Sequence, residues 1–133
     1  MQLGGARVLV TGATGGIGEA IARGLIDRGA RVLLSGRRQD ALEELAGRLG
    51  ERAEVMLADL AERDAPARLA EEAGVVDVLV ANAALPASGR VEDFDPEEID
   101  RALDVNLRAP IQLTRALLPG MLARGRGHLV FVS

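Results

Sequence analysis

The stretch TGATGGIG, Thr11 to Gly18, lies between a short apolar run and a helical pattern. Its glycines fit two spacings, TGxxxGxG and TGxxGxxG. In such a turn the first glycine permits the tight bend, a middle one lets backbone approach a diphosphate, and the last lets the helix pack on the strand. The helix N-terminus adds N–H donors and the positive end of its dipole. We predict diphosphate contacts from Gly12, Thr14, Gly15, Gly16, Ile17 and Gly18. The alternative is a strand–helix connection without a ligand.

A second chemical candidate is Asn106, which falls on or near one apolar helical face with Ile99, Leu103, Leu113 and Leu117. A polar side chain in a buried stripe needs hydrogen-bond partners, so we expect Asn106 to be buried and either satisfied in the core or part of a site. Pro110 cannot donate an N–H to the Asn106 carbonyl, and its ring should kink the helix. A carbonyl freed in this way can bind an ordered water. The alternative is a structural Asn beside an incidental kink.

Short apolar runs alternate with helical patterns along the whole chain. The fourth helical pattern starts at Asp95 and Pro96 and runs towards Leu118–Pro119, and Glu44 and Arg48 have the spacing of an ion pair within one helix. The predicted strands are Arg7–Thr11, Arg31–Ser35, Glu54–Ala58, Val75–Ala81 and His128–Val132. This alternation predicts one α/β domain over residues 1–133, a doubly wound Rossmann-type parallel sheet of about five strands. Because the fifth strand ends at the last residues, we expect the sheet to be truncated there.

Composition excludes several function classes. The net charge is −4, with two Phe and no Trp or Tyr, so phosphate neutralisation and base stacking are unsupported and nucleic acid is not an expected partner. There is no Cys, and no cluster of residues has metal-ligand spacing. No uninterrupted apolar run approaches membrane length, and no secretory signal is evident, so we expect no membrane partner and a cytoplasmic location.

Four motifs in order make the chain resemble the short-chain dehydrogenase/reductase superfamily over essentially its whole length. They are the glycine turn, Asp59-Leu60 after the third strand, Ala81-Asn82-Ala83-Ala84 after the fourth, and Asn106 in LDVNLRAP. The third resembles the family's NNAG segment but has Ala81 for the first Asn and Ala84 for Gly.

The resemblance implies an oxidoreductase that transfers hydride between a nicotinamide dinucleotide and an alcohol or carbonyl substrate. It implies that Asp59 and Leu60 contact the adenine, and that Asn82, Ala83 and Ala84 lie at the cofactor. The main-chain carbonyl of Asn106 would hold a water in a catalytic proton relay. The TGxxGxxG spacing leaves open the family's extended branch, which includes nucleotide-sugar epimerases. The segments from Ala81 to Ala84 and from Asn106 to Ser133 favour the shorter, oxidoreductase-rich branch.

The end of the second strand, Leu34 to Arg38, bears on the choice of cofactor. An NAD site usually places an acid here for the ribose 2′-OH, and Gly36 stands at that position. Arg37 follows and could hold a 2′-phosphate through charge-assisted bonds. We therefore predict NADP in preference to NAD, with Arg37 as a contact. The alternative is that Arg37 and Arg38 are solvated charges at the start of the next helix.

The family's Tyr and Lys, a YxxxK motif beyond the fifth strand, have no counterpart in this chain. All sixteen basic residues are Arg, and there is no Tyr. We expect an N-terminal, cofactor-binding portion of an enzyme that is inactive alone. The alternative is a stand-alone dinucleotide-binding or interaction module. Related proteins pair through the fourth and following helices, which makes a homo-oligomer a further expectation.

Overall fold

The computed structural model describes all residues from Met1 to Ser133 and contains one five-stranded parallel sheet of order β3-β2-β1-β4-β5. The strands are β1 (Arg7–Val10), β2 (Arg31–Gly36), β3 (Ala53–Leu57), β4 (Val78–Ala81) and β5 (His128–Phe131). The first three helices are α1 (Gly16–Asp27), α2 (Gln39–Leu49) and α3 (Ala65–Ala73). The predicted Rossmann-type parallel sheet is therefore confirmed.

The register of the sheet brings the carboxyl ends of β1, β2 and β4 to one edge. Val10 lies opposite Leu34 on β2 and Val80 on β4. In an open parallel sheet, ligands bind at this edge, where the strand order changes direction. The glycine turn follows β1, the central strand of the sheet. On one side β1 pairs with β2, and on the other side it pairs with β4.

The core consists of two apolar clusters, one on each face of the sheet. On one face Val8, Val10, Val32 and Leu34 pack with α1 and α2, and on the other Leu9, Leu33 and Leu79 pack with α3 and the last helix. Continuous apolar strands are buried on both faces in this arrangement, which explains why they lack polar alternation.

The helical segment between β4 and β5 is divided into more elements than the sequence predicts. It contains a 3₁₀ turn (Val91–Asp93), α4 (Pro96–Leu103), a π-helical turn (Asp104–Arg108) and α5 (Ala109–Arg124). At its start the Glu98 carboxylate accepts a hydrogen bond from the Asp95 N–H at 3.3 Å, and α5 continues through Pro119 to Arg124. None of the helices in the chain is long and apolar enough to cross a membrane.

The predicted apolar stripe along this segment is only partly buried. Leu113 and Leu117 of α5 lie in the core, whereas Ile99 and Leu103 of α4 are exposed. No residue of α4 is buried, because this short helix makes few contacts with the sheet; the π-helical turn continues directly from its last residue. The expectation of one buried face from Ile99 to Leu117 was therefore wrong for its first half.

Candidate functional site

The turn after β1 is built around Gly12, whose φ of +62° favours glycine. The Ala13 N–H donates to the Ser35 carbonyl at 3.1 Å, which ties the turn to the end of β2. Gly15 then caps α1, and its carbonyl accepts from the Glu19 N–H at 2.8 Å. The N–H groups of the first turn of α1 therefore open towards the carboxyl edge of the sheet.

Two of the four glycines are required by packing within the protein. A Cβ on Gly12 would lie 2.8 Å from the Ala83 Cα, and a Cβ on Gly18 would overlap the Gly12 carbonyl. Both contacts are with backbone, which cannot move aside as a side-chain end can. At these positions the backbone of the glycine turn, α1 and the end of β4 lie too close together for a Cβ.

Packing within the protein does not require glycine at the two middle positions, Gly15 and Gly16. A Cβ on Gly16 would meet no protein atom within 4 Å, and one on Gly15 only the Gly12 carbonyl at 3.6 Å. Glycine at these positions leaves the backbone open to a ligand rather than to another part of the chain. Packing does not distinguish the TGxxxGxG spacing from TGxxGxxG.

Thr11 links the glycine turn to the end of β4. Its buried Oγ1 accepts hydrogen bonds from the N–H groups of Asn82 and Ala83, both at 3.0 Å. The Asn82 Nδ2 in turn donates to the Gly12 carbonyl at 3.2 Å. Thr11 was not among the predicted site residues, although a hydroxyl directly between a buried strand and a glycine turn was a usable signal.

These segments enclose a cavity of about 430 Å³ at the carboxyl edge of the sheet. Of the predicted residues, it is lined by Gly12, Thr14, Gly15, Gly16, Ile17, Gly18, Arg37, Leu60, Asn82, Ala83 and Ala84. The remaining lining residues were not predicted as contacts; they are Ser35, Gly36, Ala58, Leu85 and Val105. Gly36, Ala58 and Leu85 are next to predicted residues, and Ser35 lies two positions before Arg37. Val105 precedes Asn106 on the π-helical turn.

The side chains that line this cavity carry positive charge only. Arg37 is the only ionisable residue in its lining, and no Asp or Glu contributes to it. The N-terminus of the 12-residue α1 adds its positive dipole end and unpaired N–H groups. The cavity can therefore receive an anionic ligand without carboxylate repulsion from its walls.

Asp59 lies outside the lining of this cavity, unlike its neighbour Leu60. Its Oδ1 accepts the Ala61 N–H at 3.0 Å, and its carbonyl accepts the Glu62 N–H at 3.0 Å. The carboxylate thus shapes the turn that places buried Leu60 in the wall. A ligand contact of Asp59 itself stays a prediction.

Asn106 is exposed rather than buried, which corrects the sequence prediction. Its side chain turns away from the core and makes two hydrogen bonds with the backbone of Leu85. It borders a second cavity of about 540 Å³ that shares Ala83 and Ala84 with the first. Asn106 therefore sits at the junction between the candidate nucleotide cavity and an adjoining, mostly apolar groove.

The predicted helix distortion near Pro110 is present as a π-helical turn over Asp104–Arg108. The Ala109 N–H donates to the Asp104 carbonyl, five residues earlier. Such a turn adds one residue to the helix and is frequent at functional sites. It carries Asn106 and Val105, so the irregular turn faces both cavities.

The sequence matches the family described as short chain dehydrogenase over residues 6–133. The chain belongs to this family. It is 41% identical over 99% of its length to the nodulation protein G of Rhizobium sp. (strain N33), covering 56% of that protein. It is 40% identical over 95% of its length to the NADP-dependent 3-hydroxy acid dehydrogenase YdfG of Shigella flexneri, covering 53% of that protein.

Solved structures of short-chain dehydrogenases agree with the fold. A metagenomic short-chain oxidoreductase in complex with NADP superposes with a TM-score of 0.91 at 40% identity, covering all of this chain and 64% of the other. A 3-ketoacyl-(acyl-carrier-protein) reductase from Brucella melitensis complexed with NADH has a TM-score of 0.90 at 33% identity, covering 98% and 58%. The chain spans about half the length of the curated relatives it matches.

The family prediction made from the four motifs is thus confirmed. In this short-chain dehydrogenase chain, the motif residues Gly12, Leu60 and Asn82 surround one cavity, while Asn106 borders the next. Their ligand contacts are argued below as proposals.

Proposed function

We propose that the chain binds NADP(H) in the cavity at the glycine turn and forms the cofactor-binding part of an oxidoreductase. The bound nicotinamide would supply or accept the hydride exchanged with an alcohol or carbonyl substrate. Support comes from membership of the family, from an NADP-dependent relative and from similar structures that hold NADP or NADH.

The diphosphate of the dinucleotide would lie over Gly15 and Gly16, at the N-terminus of α1. A methyl group on Gly16 would meet no protein atom within 4 Å, so its absence serves a ligand better than it serves packing. The helix N-terminus offers backbone donors and a positive dipole end to the phosphates. Thr14 and Ile17 line the same part of the cavity.

The observation that carries the choice of NADP is Arg37, the only charge in a cavity without carboxylates. At the end of β2, Gly36 occupies the position where an acid would bind the ribose 2′-OH and repel a 2′-phosphate. An Arg–phosphate hydrogen bond contributes roughly 1.5–3 kcal/mol, which is about ten- to a hundredfold in affinity. Arg37 is therefore assigned to the 2′-phosphate.

The remaining predicted residues would contact the adenine and the nicotinamide end of the dinucleotide. Leu60, at the end of β3, would pack on the adenine with Ala58, and Asp59 would support this turn. Asn82, Ala83 and Ala84 would lie further along the dinucleotide, towards the groove beside Asn106. The backbone carbonyl of Asn106 is assigned to a bound water in the proton path.

Titration calorimetry with NADPH and NADH tests the proposal. We expect Arg37→Ala to weaken NADPH binding by about ten- to a hundredfold and NADH binding less than about twofold. Arg38→Ala is the matched control, because it removes the same charge one residue away, outside the cavity lining. Equal weakening of both cofactors by Arg37→Ala, or no binding of either by the folded wild type, contradicts the assignment.

We further propose that the 133-residue chain alone does not turn over substrate. It has neither a Tyr phenol nor a Lys amine, so neither group can act as an acid, a base or a proton relay. Its own residues bind and orient the dinucleotide. Reduction of a carbonyl substrate by the purified chain with NADPH, retained after removal of trace enzymes, would overturn this.

The same absence of a phenol and an amine favours a second candidate, a dinucleotide-binding module that performs no chemistry. Such a module requires no further residues to act. The two candidates separate when the coding sequence is followed beyond Ser133: a YxxxK motif in the same reading frame supports the enzyme, and a stop codon supports the module. Because one named relative is a dehydrogenase and one similar structure is a reductase, we place the epimerase branch behind both.

A further inference from the structure

Arg108 joins two segments that lie far apart in the sequence. Its Nε donates to the Asp104 carboxylate at 2.9 Å, within the π-helical turn, and its Nη1 donates to the Arg63 carbonyl at 3.3 Å, in the turn between β3 and α3. Nη1 also donates to the Gln112 Oε1 on α5 at 3.4 Å. Only 21% of the side chain is exposed, and Nη2 is buried and makes no hydrogen bond. The guanidinium is therefore enclosed between the two segments and does not extend into solvent.

Each of these two segments contributes a residue to the lining of the nucleotide cavity. Leu60 comes from the turn between β3 and α3, and Val105 comes from the π-helical turn. Both side chains are also buried in one apolar cluster. Apolar contact is not directional, so it holds the segments together without fixing how far apart they lie. The hydrogen bonds of Arg108, which is not itself part of the lining, supply that constraint.

We propose that Arg108 is a positioning residue for the dinucleotide, which holds Leu60 and Val105 at the separation that the adenine end requires. It acts through the two segments and not by contact with the ligand. The proposal rests on the proposed cofactor, in which Leu60 packs on the adenine. Because NADPH and NADH share the adenine, Arg108 supports the binding of both equally, in contrast to Arg37 at the 2′-phosphate.

Arg68 is an arginine near the same turn whose pairs are only local. It pairs with Asp64, four residues earlier, and with Glu62, and 61% of its side chain is exposed. Arg68 therefore reinforces its own segment, as an ordinary ion pair between successive helical turns does. Arg108 instead reaches 45 residues back along the chain to the Arg63 carbonyl. Arg68 is a matched control, since it contacts the turn before α3 without joining it to the π-helical turn.

Substitution by lysine tests the bridge while the charge is kept. A lysine side chain has one terminal nitrogen, which cannot occupy the places of Nε and Nη1 together. In titration calorimetry, Arg108→Lys should weaken the binding of NADPH, NADH and adenosine 2′,5′-bisphosphate by a common factor of about three- to tenfold, the loss expected for one hydrogen bond. Arg68→Lys should leave all three dissociation constants unchanged. Binding is measured well below the Tm of each variant, so a loss of stability alone does not alter it.

Hydrogen exchange without any ligand gives a second readout. The N–H groups of Ala61 and Glu62 both donate to Asp59 in the turn that carries Leu60. These two amides should exchange faster in Arg108→Lys than in the wild type, because the turn has lost its attachment to the π-helical turn. The amide of Leu9, in the central strand, should exchange at the same rate in both proteins. Faster exchange at all three amides would indicate general destabilisation and would overturn the proposal.

Three further outcomes overturn it: unchanged affinities in a folded Arg108→Lys protein, equal weakening by Arg68→Lys, or a loss confined to NADPH. If Arg108→Lys does not fold, Asp104→Asn takes its place, because it removes the carboxylate that fixes Nε, and the same outcomes apply. A wild-type chain that binds neither NADPH nor NADH overturns the proposed cofactor together with this inference. Wild-type binding that Arg108→Lys does not weaken overturns this inference alone.

Discussion

Asn106 and Leu85 form a reciprocal pair: the Leu85 N–H donates to Oδ1 at 2.7 Å, and Nδ2 donates to the Leu85 carbonyl at 2.9 Å. One side chain thus satisfies both backbone groups of a residue in the loop after β4. The π-helical turn that carries Asn106 is thereby fixed to the segment that separates the two cavities. Asn106 consequently has a structural role in addition to the one proposed for its carbonyl.

We expect Asn106→Ala to lower the free energy of unfolding by about 1–2 kcal/mol, because it leaves two backbone groups without their partners. The effect is at the modest end because water can reach the exposed site. Urea denaturation measures it, and faster hydrogen exchange of the Leu85 amide localises it. Gln2→Ala, an exposed polar truncation near the N-terminus, is the control. An Asn106→Ala protein with unchanged Leu85 exchange would show that the pair does not hold the loop.

Substitutions at two glycines of the turn should affect stability and ligand binding separately. Gly18→Ala should lower the free energy of unfolding by about 1–3 kcal/mol, because its Cβ would overlap the Gly12 carbonyl. Gly16→Ala meets no protein atom within 4 Å and should leave stability unchanged or raise it by up to about 1 kcal/mol through helix propensity.

For Gly16→Ala the expected effect is on binding and not on stability. This variant should weaken NADPH binding although the protein is stable. Thermal unfolding and calorimetry on the two variants measure both quantities. If Gly16→Ala bound NADPH as tightly as the wild type, the diphosphate would not pass over this position.

Thr11 is expected to be needed for its hydroxyl rather than its methyl group. Thr11→Val keeps the shape but removes the acceptor for the Asn82 and Ala83 N–H groups. We expect a loss of about 1–3 kcal/mol in the free energy of unfolding, since these groups are left unsatisfied. Thr11→Ser retains the acceptor and should lose much less. Similar losses in the two variants would assign the effect to packing.

The sequence was sufficient to predict the sheet, because continuous apolar strands and helical periodicity each follow from burial on both faces. It was also sufficient to predict most of the cavity lining: the glycine turn from its spacing, and Leu60, Asn82, Ala83 and Ala84 from the resemblance to the short-chain dehydrogenase/reductase family. The predicted β4 began three residues early, at Val75 rather than Val78. The Arg7 guanidinium binds the carbonyls of Ala73 and Val75, and this tertiary contact has no local signal.

Side-chain partners across elements were the least predictable feature. Asn106 has the spacing of a core residue, but the π-helical turn redirects it towards Leu85. Arg48 has the spacing to pair with Glu44 but instead contacts Glu19 of α1 at 2.8 Å. In both cases the outcome depends on how two elements lie relative to each other, which helical periodicity alone does not specify.

The Glu19 carboxylate makes part of the stability dependent on pH. The hydrogen bond from Arg48, with that from Arg23, lowers the pKa of Glu19 below its usual 4.5. A carboxyl whose pKa is lower in the folded state stabilises the fold above its unfolded pKa, and the contribution is lost as pH falls through the folded pKa. The stabilising contribution should therefore be complete above about pH 4.5 and decline below it.

We expect the difference in unfolding free energy between the wild type and Glu19→Gln to be constant near neutral pH and to shrink as the solution is acidified below that value. The difference should be small, because these side chains are partly exposed and solvent screens the ion pairs. Urea denaturation at a series of pH values measures it, with Glu44→Gln as the control on the neighbouring helix. A difference that grew on acidification would mean that Arg48 and Arg23 do not stabilise the Glu19 carboxylate.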